Sequence, residues 1–269
     1  MKTTSSGATI VAALLASTVV LPALADSDAE LAKKTQNPVA ALISLPLQLN
    51  YDSDIGPTKD GNKTLLNVQP VIPFSIGTDW KLVSRTILPV VEQHDVAPGA
   101  GTQSGVGDIT QSLFFSPKQP TDSGWIWGVG PVLLLRSGSA DLTAHKWGLG
   151  PTGVFLKQES GWTYGMLANH IWSVAGNDQA RDISNTFVQP FLSYTTKTFT
   201  TFGISTESTY DWKSKQWTVP LNFAVSQLLK VGGQPLTLQA GVRYWADSPD
   251  GVGPEGWGLR LAVTFLFPK

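Results

Sequence analysis

The residues of this sequence best placed to do chemistry are single charges set into alternating, otherwise apolar stretches. In "GWGLRLAVTFLFPK" (256–269), Trp257, Leu259, Leu261, Val263, Phe265 and Phe267 share one parity, and Arg260 falls on the other. Arg243 in "TLQAGVRYW" (237–245) occupies the same kind of position, as do Arg85, Asp108 and Glu207 in their own segments. Successive residues of a strand point to opposite faces, so these charges lie on the polar face of a sheet whose other face is greasy. If that sheet closes into a membrane barrel, the polar face is the lumen, where charge is tolerated because water reaches it.

Aligning heights along neighbouring strands puts Glu207, Arg243 and Arg260 somewhat above mid-barrel, with Arg85 and Asp108 at similar depth across the lumen. Facing charges in one narrow slice make a transverse field that orders dipolar solutes, and three arginines against two carboxylates favour anions. The alternative is that Arg243 and Arg260 are clamped by Glu207 or loop carboxylates and belong to a paired polar filling that holds a narrow barrel closed.

Other chemistries have little to work with. The chain has no Cys, which excludes disulfides, thiolate metal sites and a cysteine nucleophile. It has three histidines: His94 and His145 near expected loops, and His170 on an outward strand face. A surface hydrolase would need a serine and an orienting polar group within reach of His170, and no serine motif marks one. There is no P-loop, dinucleotide fingerprint or metal-ligand cluster, so no enzyme and no cofactor is expected. A formal net charge of -1 provides no basic stripe for nucleic acid.

The elements that must hold these residues follow from composition and period. The chain has 269 residues, 42% hydrophobic and only 14% charged, with 26 Gly and 10 Trp. Lys2, the apolar run "ATIVAALLASTVVLPALA" and the small-x-small pattern at Ala23 and Ala25 read as an export signal over 1–25. Residues 26–37, "DSDAELAKKTQN", read as a short periplasmic leader, disordered or forming a turn or two of helix. After the signal no run reaches the roughly 18 apolar residues of a membrane helix.

Residues 38–269 alternate with period two, in about twelve segments of ~10 or more residues separated by turn residues, as transmembrane barrels do. The expected fold is all-β, an antiparallel up-and-down barrel of about 12 strands with both termini periplasmic. Connections after odd strands are long and polar, such as "HDVAPGAGTQSG" (94–105), and those after even strands are mostly short, such as "KQESG" (157–161). Aromatics sort to the strand ends on the apolar parity: Trp80, Phe115, Trp125, Phe155, Trp162, Tyr194 and Phe267 at one end, and Tyr51, Trp147, Trp172, Tyr210, Trp217, Tyr244 and Trp257 at the other. Two aromatic belts bounding an aliphatic band are what a lipid-facing barrel wall needs. Prolines at 46, 70, 89, 131, 151, 190 and 220 fall inside expected strands and read as bulges or bends.

The stretches "NPVAALISLPLQLNYD" (37–52), "GVGDITQSLFFSP" (105–117), "WGLGPTGVF" (147–155), "NHIWSVAG" (169–176) and "QPFLSY" (189–194) resemble, in that order, a family of bacterial outer-membrane proteins. Its members are labelled as transporters, as phenol-degradation meta-pathway barrels, or by the misleading name neuromedin U. The resemblance implies an outer-membrane barrel of a Gram-negative bacterium and passive passage of small molecules, with hydrophobic or aromatic compounds as the suggested class. It carries over no catalytic residue. The aromatic-ended last strand is similar to the C-terminal signal read by the barrel-assembly machinery, although Pro268 and Lys269 follow the final Phe. Outer-membrane lipid, that machinery and small solutes are thus the expected partners. A plugged structural or adhesin-like barrel and an outer-membrane hydrolase are the competing classes.

Overall fold

The structure is a computed structural model that describes residues 25–268. The expected signal peptide lies outside the described residues except for Ala25, which opens helix α1 (Ala25–Thr35). Twelve strands follow: β1 (Ile43–Ile55), β2 (Gly61–Val68 and Val71–Ile76), β3 (Trp80–His94), β4 (Thr102–Val106 and Ile109–Pro117), β5 (Trp125–Leu135) and β6 (Lys146–Glu159). They continue as β7 (Trp162–Gly176), β8 (Ser184–Thr195), β9 (Thr200–Thr206 and Ser208–Asp211), β10 (Gln216–Val231), β11 (Gln234–Asp247) and β12 (Gly256–Phe267). Every neighbour pair is antiparallel, and β1 pairs with β12 from Ile43↔Phe267 to Asp52↔Gly258, which closes the sheet into a barrel.

Turn chemistry shapes one end. Ser160-Gly161 and Gly232-Gly233 link β6 to β7 and β10 to β11, and all four residues have positive φ. That is the conformation two-residue hairpins need to match the strand twist. This end, with the short turns, also carries α1 and the end of β12. The opposite, loop end carries the longer connections.

Outward residues are mainly apolar. Leu259 is 58% and Leu261 54% exposed, which no water-facing sandwich would leave on a contiguous face. The belts form at both rims, with cross-strand pairs such as Trp162–Tyr194 (ring centroids 4.9 Å apart) and Tyr244–Trp257 (5.0 Å). Such pairs contribute about 0.5–1.5 kcal/mol each beyond their buried area. Trp127 and Trp212 join the belts without having been expected there: Trp127 packs edge-on to Trp80, and Trp212 packs edge-on to Tyr210.

The prolines act in more than one way. A one-residue register shift adjoins Pro220, which is a bulge as expected. Pro46 and Pro89 keep their cross-strand partners, Thr264 and Asn67. Pro70 marks the break in β2. The break in β9 falls at Glu207, which in register faces Pro220 on one side, while its neighbour Thr206 faces Pro190 on the other. Neither proline has an N–H to give, so the ladder lapses at this point without slipping.

The leader is a helix of 11 residues, longer than the turn or two expected and not disordered, and its apolar side packs into the turn end. Leu31 and Ala32 pack with Ala40, Leu42, Leu228 and Leu266. Val39, fully buried, enters the barrel among Val83, Phe114, Val154, Leu156 and Leu167. Polar latches hold it: Lys230 pairs with Asp28 at 2.6 Å, and the Gln158 amide donates to the Lys33 carbonyl at 2.9 Å.

Candidate lumen site

The inward parity brings three of the five expected charges into one network. Arg260, on β12, donates through Nη1 and Nη2 to the two carboxylate oxygens of Glu207 at 2.8 and 2.7 Å. Its Nε donates to Asn50 Oδ1 at 2.7 Å. Arg243, on β11, donates through Nε to Asn222 Oδ1 (3.1 Å), through Nη1 to Asp52 Oδ2 (3.2 Å), and through Nη2 to Asn50 Oδ1 (3.0 Å) and Glu207 Oε2 (3.4 Å). Trp245 completes it: its Nε1 donates to Asp52 Oδ1 at 2.9 Å, and its ring centroid lies 5.2 Å from the Arg243 guanidinium carbon. The network spans five adjacent strands, β9 through β12 and β1.

Two guanidinium groups here meet two carboxylates, so the network is neutral as a unit. Arg243 and Arg260 are only 5% and 4% exposed. Buried charges are tolerable when paired and hydrogen-bonded, and here every guanidinium nitrogen of both arginines makes a hydrogen bond. The clamp that the sequence left open as the alternative is the observed geometry for these two arginines.

Arg85 stands apart from this network. It lies on β3, and its Nη2 donates to Gln69 Oε1 at 3.0 Å, beside the break in β2. Arg85, Glu207 and Arg260 all line one lumen cavity of about 320 Å³, with Gln48, Gln189 and Gln239 on its walls. Its floor is the N-terminal segment, including Asn37, Pro38 and Ala40.

Asp108 is not in this group. It sits at the break in β4, where its Oδ1 accepts from the backbone N–H of Ser137 and Gly138 and from the Thr143 hydroxyl, and its Oδ2 accepts from Ala144 N–H at 2.7 Å. Four donors from one connection make it the anchor of the 136–145 loop. Pairing its height with Arg85 by strand count missed this, because β4 breaks there and the side chain turns to the loop.

Sequence reasoning also missed Asn50 and Asp52. Asp52 opens a run rich in Asp, Gly and Pro that looks like a loop, yet β1 continues to Ile55. Carrying the alternation on from Gln48 through the end of β1 puts Asn50 and Asp52 on the same inward face.

His170 lies on the outward face as expected. Its Nδ1 is 2.7 Å from Thr186 Oγ1, and its ring is 4.1 Å from that of Trp172. Ser184 Oγ is 3.4 Å from Nε2, at the limit of a hydrogen bond. The Thr186 hydroxyl also accepts from Trp212 Nε1 at 2.8 Å, which ties the histidine into the aromatic belt. Among the described residues no group of His, Cys, Asp and Glu is arranged to hold a metal ion.

No protein-family model and no curated protein matches the chain. Solved structures that share its fold include a channel and a porin. An outer membrane channel from Pseudomonas putida F1 superposes with a TM-score of 0.66 at 15% identity, over 84% of this chain and 96% of that one. The NanC porin superposes with a TM-score of 0.50 at 12% identity, over 82% of this chain and 98% of that one. The likeness is one of architecture: a closed twelve-stranded antiparallel barrel of the kind found in outer-membrane proteins.

Proposed function

We propose that the chain is an outer-membrane channel of a Gram-negative bacterium, with both termini in the periplasm, through which small solutes pass or in which they lodge without coupled energy. The observation that carries this reading is the polar cavity of about 320 Å³ inside a barrel whose outer wall is aliphatic between two aromatic rims. A polar, hydrated lumen with an apolar exterior is the division of labour that a solute pathway across lipid requires. The hydrophobic or aromatic solute class implied by the family resemblance has a foothold in Phe191, Val71 and Leu42, which form part of the cavity wall.

A closed structural barrel is the second reading, favoured by Val39 and Leu31 packed into the turn end. Single-channel recording with the purified protein in planar bilayers separates the two. Discrete conductance steps support the channel. Silence from both the mature chain and a chain lacking residues 25–36 rejects it.

A further inference from the structure

We propose that the lumen cavity is a binding site for a small hydroxylated monocarboxylate, held through its carboxylate by Arg85. The proposal rests on the channel reading in one respect, that this cavity lies on the path a solute would take.

Arg85 differs from the other two lumen arginines in what it meets. Arg243 and Arg260 direct their donors at Asn50, Asp52, Asn222 and Glu207. Arg85 makes no ion pair among the described residues, and its side chain has one protein hydrogen bond there, to Gln69. Its Nε and Nη1 have no protein partner among the described residues, and the side chain lines the cavity from a half-buried position. A guanidinium in that setting is costly unless an anion pairs with it, and its planar fork fits a carboxylate with two parallel hydrogen bonds.

The other charges on the cavity wall are already matched. Both oxygens of Glu207 accept from Arg260, and Lys34 pairs with Glu30. One unmatched cation calls for one anionic group, hence a monocarboxylate. The remaining wall specifies the rest of the ligand. The side-chain amides of Gln189 and Gln239 line the cavity and bond to no protein group among the described residues, so each offers a donor and an acceptor to ligand hydroxyls. At about 320 Å³ the space is at the small end of ligand cavities, which run from roughly 300 to 1,000 Å³.

The test is isothermal titration calorimetry of the folded protein in detergent, with gluconate as the hydroxylated monocarboxylate, sorbitol as its neutral counterpart and benzoate as an apolar carboxylate. Gluconate should bind and sorbitol should not. Arg85→Gln should weaken gluconate by about tenfold or more, the usual scale of a charge-assisted pair. Arg85→Lys, which keeps the charge but loses the fork, should fall between. Gln189→Leu with Gln239→Leu should weaken gluconate and spare benzoate, and it provides a second readout if Arg85→Gln fails to fold. Unchanged gluconate binding in Arg85→Gln, or equal binding of sorbitol, overturns the proposal, and benzoate binding tighter than gluconate overturns its hydroxylated part. Calorimetry needs no conductance, so a protein that binds gluconate but passes no current sinks the channel and keeps the site. One that conducts but binds nothing does the reverse.

Discussion

Arg260 and Glu207 form a two-pronged ion pair, 2.8 and 2.7 Å long, that reaches from β12 back to β9 across two intervening strands. A bond of this span holds the curvature of the wall as well as two charges. Removing one partner of a buried pair costs about 3–5 kcal/mol, because the other charge is left uncompensated. Glu207→Gln and Arg260→Gln should therefore each be strongly destabilising, while the double variant should lose less than the sum. Urea unfolding from lipid vesicles would measure the coupling. Additive losses would mean that the pair is incidental.

The same geometry moves the origin of any anion preference. With Arg243 and Arg260 neutralised by Asp52 and Glu207, the cation on the cavity wall that makes no ion pair among the described residues is Arg85. Arg85→Gln should shift the reversal potential toward cations with little loss of stability. An unchanged reversal potential would place the selective charge elsewhere.

Asp108 should govern a loop and not the pore. Asp108→Asn weakens four contacts to the 136–145 connection, so tryptic cleavage after exposed Arg136 should speed up while reversal potential stays the same. Altered selectivity with an intact loop would return Asp108 to the lumen.

The helix at the turn end should obstruct. Deleting residues 25–36 removes Leu31 and Ala32 from their packing against Leu228 and Leu266 and takes away part of the cavity floor. Single-channel conductance should rise while the barrel keeps its heat-modifiable gel mobility. Identical conductance would show that solutes bypass the helix.

Facing is tested by position. Val263 points outward, and Thr264 lines the cavity. Arginine at Val263 should cost about 2–4 kcal/mol near mid-bilayer, and arginine at Thr264 far less. Asn222, though inward, is no neutral control, since Arg243 depends on it. Equal costs at 263 and 264 would contradict the assigned faces.

Much of this barrel is legible in the sequence because a strand writes its facing every second residue, and lipid enforces that alternation around the whole wall. Parity alone therefore finds Arg243, Arg260 and Glu207 inside and Trp257 outside. What parity leaves open is height, since the stagger of a closed sheet sets which inward residues meet, and no local pattern records it. Asp108 was misplaced for another reason, because β4 breaks there and its side chain turns to the 136–145 loop. Asp52 was missed because turn-forming residues masked the last four residues of β1. The docking of α1 was invisible in a different way: "AELAKK" is a modest amphipathic run, and only the apolar rim formed by Leu228, Leu266 and Leu42 gives its apolar side somewhere to go.

Asn50 and Arg260 face each other directly across the junction of the first strand and the last, and both belong to the lumen network. That junction is the final one made when such a sheet closes, and a slip of one residue there would turn every side chain of β12 to the opposite face. Arg260 would then point into lipid, and Glu207 and Asn50 would lose the guanidinium that bonds them. The charge network thus acts as a lock that accepts only one alignment of the seam, making correct closure of the barrel and assembly of its interior a single event.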